Sequence, residues 1–222
     1  MQTLRGNRCI SWSVRMIDSV TKNDLRVDGE KLSFHPARVA QWQAADTWEK
    51  AREVYPIYVE VSPVGACNHR CTFCAVDYIG YKSVMLDSKF LIMRAEEMAQ
   101  LGVGSIMLAG EGEPLLHKQI NYITESICRA GIDVAFTTNG VLLDKLDSLA
   151  LCDWVKVSIN GGTAATYAAV HRTKERDWDT VWANVRSAAK RKSQCMLGVQ
   201  SLLLPGNAAQ ISLLSELCDD AG

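Results

Sequence analysis

From Pro56 onward the chain alternates short apolar runs with amphipathic stretches, and that alternation restricts its possible folds more than any other feature. "IYVEVS" (57–62) is β-branched and alternating, and it reads as a strand. "DSKFLIMRAEEMAQLG" (87–102) opens on an N-cap residue, Asp87 or Ser88, and stops at Gly102, as a helix does. "SIMLAG" (105–110) has the character of a buried strand, and "HKQINYITESICRAG" (117–131) that of a helix closed by a glycine. A strand over 132–140, a short helix over 141–152 and a strand over 153–161 follow. The pattern then predicts a helix over 176–193, with basic residues in its last turn, a fifth strand over 195–205 and a fifth helix over 207–222. Apolar strands that alternate with helices pair in parallel through right-handed crossovers. Residues 57–222 are therefore expected to form five β/α units of an α/β protein. Periodicity alone fits an open doubly wound sheet and a barrel equally well.

Residues 1–56 do not share this pattern. "HPARVAQWQAADTWEKAREV" (35–54) predicts one amphipathic helix with Val39, Trp42 and Trp48 on its buried face. A hairpin or loop is expected around "VDGEKLSF" (27–34). The whole preface reads as a cap over one end or side of the domain.

Several function classes fall away at once. The net charge is −1 and no basic tract is long enough for a nucleic-acid footprint. The N-terminus lacks an apolar signal-peptide core, and no run of 18 apolar residues provides a membrane span. The expected location is the cytoplasm, where thiols stay reduced, so eight cysteines read as metal ligands or buried thiols. Five of them, Cys9, Cys128, Cys152, Cys195 and Cys218, lie scattered among apolar neighbours.

The other three are clustered. Cys67, Cys71 and Cys74 stand in a C-x3-C-x2-C array directly after the first strand, on the face where α/β proteins build their sites. Two readings of the residues remain open. Structural zinc takes four protein ligands, with His69 or a distant residue as the fourth. A four-iron cluster held by three thiolates instead leaves one corner for something else to bind. Outside the zinc reading, His69 is expected to be a solvated loop residue.

"CNHRCTFC" resembles the C-x3-C-x-Φ-C signature of the radical S-adenosylmethionine (SAM) superfamily, with Phe73 as the aromatic Φ. "GEGEPLL" (110–116) is similar to the family's GGEP motif, "TTNG" (137–140) follows the third strand, and "SIN" (158–160) is similar to the family's ribose-binding strand end. These motifs occur in order over residues 57–222. The resemblance implies a partial (β/α)6-type barrel with a helical N-terminal extension, truncated here after five units. It implies a [4Fe–4S] cluster on Cys67, Cys71 and Cys74, whose free iron chelates SAM. It implies reductive cleavage of SAM to a 5′-deoxyadenosyl radical that abstracts hydrogen from a substrate, with electrons from an external donor such as flavodoxin or ferredoxin. By match, Gly112 and Glu113 serve the SAM amino group, with Glu111 in the place of the motif's first glycine. Ser158 and Asn160 serve the ribose, Arg172 the carboxylate, and Phe73 packs near the adenine, where Gln200 is a further candidate.

The chain ends in "LCDDAG" with no evident sixth strand, so it is read as a fragment of a longer protein. The substrate stays undetermined between a peptide and a small molecule such as a sugar or nucleotide. "AVDYIGYKS" (75–83), with two tyrosines and a lysine, either lines the substrate mouth or packs over the cluster.

Overall fold

The structure, a computed structural model, describes Leu32, residues 35–191 and residues 193–222. Cys9 and, Leu32 aside, the hairpin expected around 27–34 lie outside the described residues. Five strands, β1 (Tyr58–Val61), β2 (Ser105–Leu108), β3 (Asp133–Thr138), β4 (Trp154–Ser158) and β5 (Met196–Gln200), form one sheet in the order β1-β2-β3-β4-β5. Every pairing is parallel. Strand order equals chain order and the sheet does not close, which is the wall of a partial barrel and not the reversed order of a doubly wound sheet.

Helices α1 (Pro36–Ala44) and α2 (Trp48–Ala51) precede the sheet, and α3 (Ala75–Ile79) follows the cysteine loop. Four of the later helices, α4 (Ser88–Gln100), α5 (Ile120–Arg129), α7 (Glu175–Ala189) and α8 (Ile211–Ala221), alternate with the strands, and α6 (Ala164–His171) precedes α7. Asp87 caps α4 by accepting from the Phe90 N–H at 2.8 Å. Gly102 leaves that helix with φ 83°, a left-handed turn that glycine adopts without strain. Ile120, Ile123 and Ile127 of α5 and Val181, Trp182, Val185 and Ala188 of α7 are buried at helical spacing. They pack on Ile106, Leu108, Val134, Phe136, Val155 and Val157 of the three central strands.

Four expectations need correction. The stretch 35–54 is two short helices, because Thr47 accepts from the Lys50 N–H at 3.4 Å and starts a new one. Neither buries a residue, and Trp42 and Trp48 are 61% and 73% exposed. Residues 141–152 form 3-10 turns (Leu143–Lys145 and Asp147–Leu151) and no α-helix, because side chains from elsewhere claim their backbone. Asn121 Nδ2 donates to the Lys145 carbonyl at 2.9 Å, Arg191 donates to the Leu146 carbonyl at 2.9 Å, and the Ser148 N–H donates to Asn121 Oδ1 at 3.1 Å. The fifth strand stops at Gln200, since the Leu202 N–H turns away to Asn160 Oδ1 at 2.6 Å. Helices α3 and α6 were not anticipated; their short stretches carry little apolar periodicity.

Candidate active site

The loop from Ser62 to Cys74 leaves the carboxyl end of β1 and is held in place by its backbone. The Arg70 N–H donates to the His171 carbonyl at 3.1 Å and the Thr72 N–H to the Val170 carbonyl at 2.9 Å, which seats the loop on the end of α6. The Cys74 N–H closes a turn onto the Cys71 carbonyl at 3.0 Å. Cys67, Cys71 and Cys74 are half-buried free thiols. Burial pushes the Cys67 thiol up, and it pushes Cys71 up to about 12, helped by the neighbouring Cys67 and Cys74. Cys67 and Cys71, raised in this way, become thiolates only against a strong positive centre.

Each sulfur has a donor beside it. Cys67 Sγ accepts from the His69 N–H at 3.4 Å, with Asn139 Nδ2 at 3.9 Å. Cys71 Sγ lies 3.3 Å from His171 Nδ1, and Cys74 Sγ lies 3.1 Å from the Tyr81 hydroxyl. His69 is a correction: it is 1% exposed and not solvated. Its ring stands edge-on to Tyr167 and His171, with Nε2 3.7 Å from Asp177 Oδ2. Burial lowers its pKa against the raising influence of Asp177.

Glu113 lies at the end of β2, buried beneath the loop. Its carboxylate accepts from the Thr138 hydroxyl at 2.6 Å, the Asn139 N–H at 2.8 Å and the Leu115 N–H at 3.0 Å. All three donors are neutral, and burial raises the carboxyl pKa despite them. Gly112 makes the approach possible, since a Cβ there would lie 2.3 Å from the carbonyl oxygens of both Val64 and Ala66. The positive φ in this motif falls on Gly110, at 100°, so Glu111 takes the first-glycine position without left-handed strain.

The remaining predicted residues are spread more widely. Ser158 ends β4, half-buried. Asn160 is buried and bonded within the protein: Oδ1 accepts from the Leu202 N–H, its own N–H donates to His171 Nε2 at 3.1 Å, and Nδ2 lies 3.2 Å from the same nitrogen. Asn207, fully buried, donates to the Asn160 and Leu202 carbonyls at 3.2 and 2.8 Å and accepts from the Leu204 N–H at 2.7 Å. Arg172 ends α6 in the left-handed region at φ 47° and, with Arg70, pairs with Asp77 at 3.5 and 3.3 Å. Phe73 is 42% exposed beside the cysteines. Gln200 ends β5, its backbone carbonyl accepting from the Ile159 N–H at 3.0 Å. Sequence reasoning missed His171 and Asn207, whose partners are remote in the chain and leave no local signal.

The sequence profile of the Radical SAM superfamily matches residues 61–209, a span that holds the cysteine loop, Glu113 and the ends of all five strands. The chain belongs to the radical SAM superfamily. It is 28% identical over 172 residues to a GTP 3′,8-cyclase of Microcystis aeruginosa (strain NIES-843), covering 72% of this chain and 52% of the relative. It is 41% identical over 113 residues to the GTP 3′,8-cyclase of Chlorobaculum tepidum, covering 46% and 32%. The chain thus spans about half the length of the first of these relatives. In fold it is similar to Streptococcus suis SuiB bound to S-adenosylmethionine, with a TM-score of 0.62, 15% identity, and coverage of 88% of this chain and 50% of that one.

Radical SAM enzymes use a [4Fe–4S] cluster and SAM, and the residues present fit both. The fit to the cluster rests on three soft sulfur donors, each with a hydrogen-bond donor of its own. The fit to the SAM ammonium rests on a buried carboxylate whose protein partners are all neutral. No helix among the described residues is long and apolar enough to cross a membrane.

Proposed function

We propose that Cys67, Cys71 and Cys74 hold a [4Fe–4S] cluster through three of its irons and that SAM occupies the fourth. When bound, the pair supplies reductive cleavage of SAM and a hydrogen-abstracting 5′-deoxyadenosyl radical. The residues around it bind and orient. Glu113, its carboxylate fixed by three neutral donors, accepts from the SAM ammonium, with Gly112 providing the close approach. Arg172 exchanges its Asp77 partner for the SAM carboxylate, Ser158 and Asn160 lie at the ribose, and Phe73 covers the adenine. Electrons come from an external carrier such as flavodoxin or ferredoxin. The substrate is a purine nucleoside triphosphate; the likeness to two GTP 3′,8-cyclases supports this over a peptide. The observation that carries the reading is the convergence of three thiols and one buried carboxylate at the carboxyl ends of adjacent strands.

Anaerobic reconstitution of the full chain should yield a brown protein with about four irons, and dithionite with SAM should release 5′-deoxyadenosine. GTP should accelerate that release and be consumed, whereas an unrelated peptide should do neither. A full cluster on Cys67→Ala would sink the ligand assignment.

A second reading, structural zinc, has one observation in its favour: ligand atoms of His69, Cys71 and His171 lie within 4.8 Å of one another. The hydrogen bonds oppose it. His171 Nε2 accepts a main-chain N–H, so the ring proton sits on Nδ1, the nitrogen that faces Cys71. A protonated nitrogen offers no lone pair to a metal. One zinc per chain in a colourless protein, after anaerobic isolation, would restore this reading.

A further inference from the structure

We propose that His171 and Tyr81 are positioning residues that set the reduction potential of the cluster, each donating a hydrogen bond to one of its ligand sulfurs. The inference rests on Cys67, Cys71 and Cys74 holding the cluster.

The direction of each bond follows from its surroundings. The Leu202 N–H donates to Asn160 Oδ1 at 2.6 Å, which fixes the amide and turns Nδ2 toward His171. Nε2 of His171 then receives both this Nδ2 and the Asn160 main-chain N–H. A neutral imidazole with Nε2 accepting must carry its proton on Nδ1, and Nδ1 lies 3.3 Å from Cys71 Sγ. The ring cannot turn away, because it is 1% exposed and stacked on Tyr167 with centroids 4.2 Å apart. At the other end of the loop, the Tyr81 hydroxyl sits 3.1 Å from Cys74 Sγ. A sulfur bound to iron carries no proton, so the hydroxyl is the donor. Arg70 lies over the Tyr81 ring, 4.4 Å from its centroid, and keeps it in place. The third sulfur, Cys67, receives the His69 main-chain N–H at 3.4 Å.

Hydrogen bonds to ligand sulfurs favour the more negative, reduced state of a cluster and so raise its potential. Tyr81 and His171 supply this to two different sulfurs, and only side-chain donors are open to substitution. Asn160 acquires a role here as well: it sets the tautomer of His171 through two nitrogens.

An EPR-monitored redox titration of the reconstituted full chain tests this, with iron content measured in parallel. Tyr81→Phe and His171→Leu should each hold about four irons and titrate at a more negative midpoint. The expected change in the reduced-to-oxidised ratio at fixed potential is about tenfold, or about 59 mV for one electron. His171→Asn, which keeps an N–H near the Nδ1 position, should return most of that shift. Fully loaded variants that titrate with the wild type would overturn the inference. If His171→Leu fails to load iron, Tyr81→Phe decides by the same measure. A wild-type chain that never assembles a cluster overturns the ligand assignment itself, and this inference with it.

Discussion

Two buried polar hubs sit at the carboxyl ends of the sheet, and they differ in kind. The hub at β2 and β3 centres on Glu113, a charge surrounded by the neutral donors of Thr138, Asn139 and Leu115. The hub at β4 and β5 centres on Asn160, His171 and Asn207, neutral groups that satisfy one another and the backbone. The second closes on itself and frames the loop. The first is a carboxylate that burial penalises and that no protein cation in its bonded set offsets, which is the state a cationic ligand relieves. One hub is satisfied by neutral partners and the other holds a buried carboxyl with no cation among its bonded partners.

That contrast is open to direct challenge. Glu113→Ala should cost the most, about 4 kcal/mol, because it strands three donors in the interior, and urea unfolding would measure it. Gly112→Ala comes next, at about 3 kcal/mol, since the new methyl meets two backbone carbonyls that have little room to move. Asn207→Ala should cost about 2 kcal/mol through the lost ties to Asn160, Leu202 and Leu204, while SAM affinity of the reconstituted chain falls less than in Glu113→Gln. Weakened SAM binding in Asn207→Ala, equal to that in Glu113→Gln, would erase the distinction between the hubs.

A subtler effect concerns pH. The folded-state pKa of Glu113 lies above its unfolded value. The stability linked to its proton is therefore fully present below the unfolded pKa and is lost as pH rises through the folded one. Glu113→Gln removes this titration, so its stability should fall less than the wild type's between acidic and neutral pH. Parallel pH–stability curves for the two proteins would count against a penalised carboxylate. At the far end of the scale, Trp48→Ser touches neither hub. With Trp48 73% exposed, the change should stay within about 0.5 kcal/mol. A larger loss would mean that the N-terminal helices pack in solution on something the isolated chain does not show.

The parts legible in the sequence were those written in local pattern. The five strands and the helices at 87–102, 117–131 and 176–193 were readable because apolar spacing tracks a face against the core, and α4, α5 and α7 bury such faces. The cysteine loop, Glu113 and Gly112 were readable because their chemistry is concentrated within a few residues. The helix predicted over 141–152 failed for a non-local reason: Asn121 and Arg191 take its carbonyls from outside. The buried face assigned to Trp42 and Trp48 failed because amphipathic spacing says a face exists, not that a partner covers it. His69 was misplaced since a polar residue between cysteines gives no sign that Tyr167 and His171 will enclose it.

The sequence by itself determined the α/β class, the chain-order repetition of its units and the clustering of Cys67, Cys71 and Cys74 and of Gly112 with Glu113. All three arise from periodicity and spacing over short range. Only the tertiary structure decided the open sheet in order β1-β2-β3-β4-β5 and the burial of Glu113. It also decided the meeting of Cys71 with His171, 100 residues apart in the chain. Those outcomes depend on which distant surfaces exclude water together, and no local window of residues contains that information.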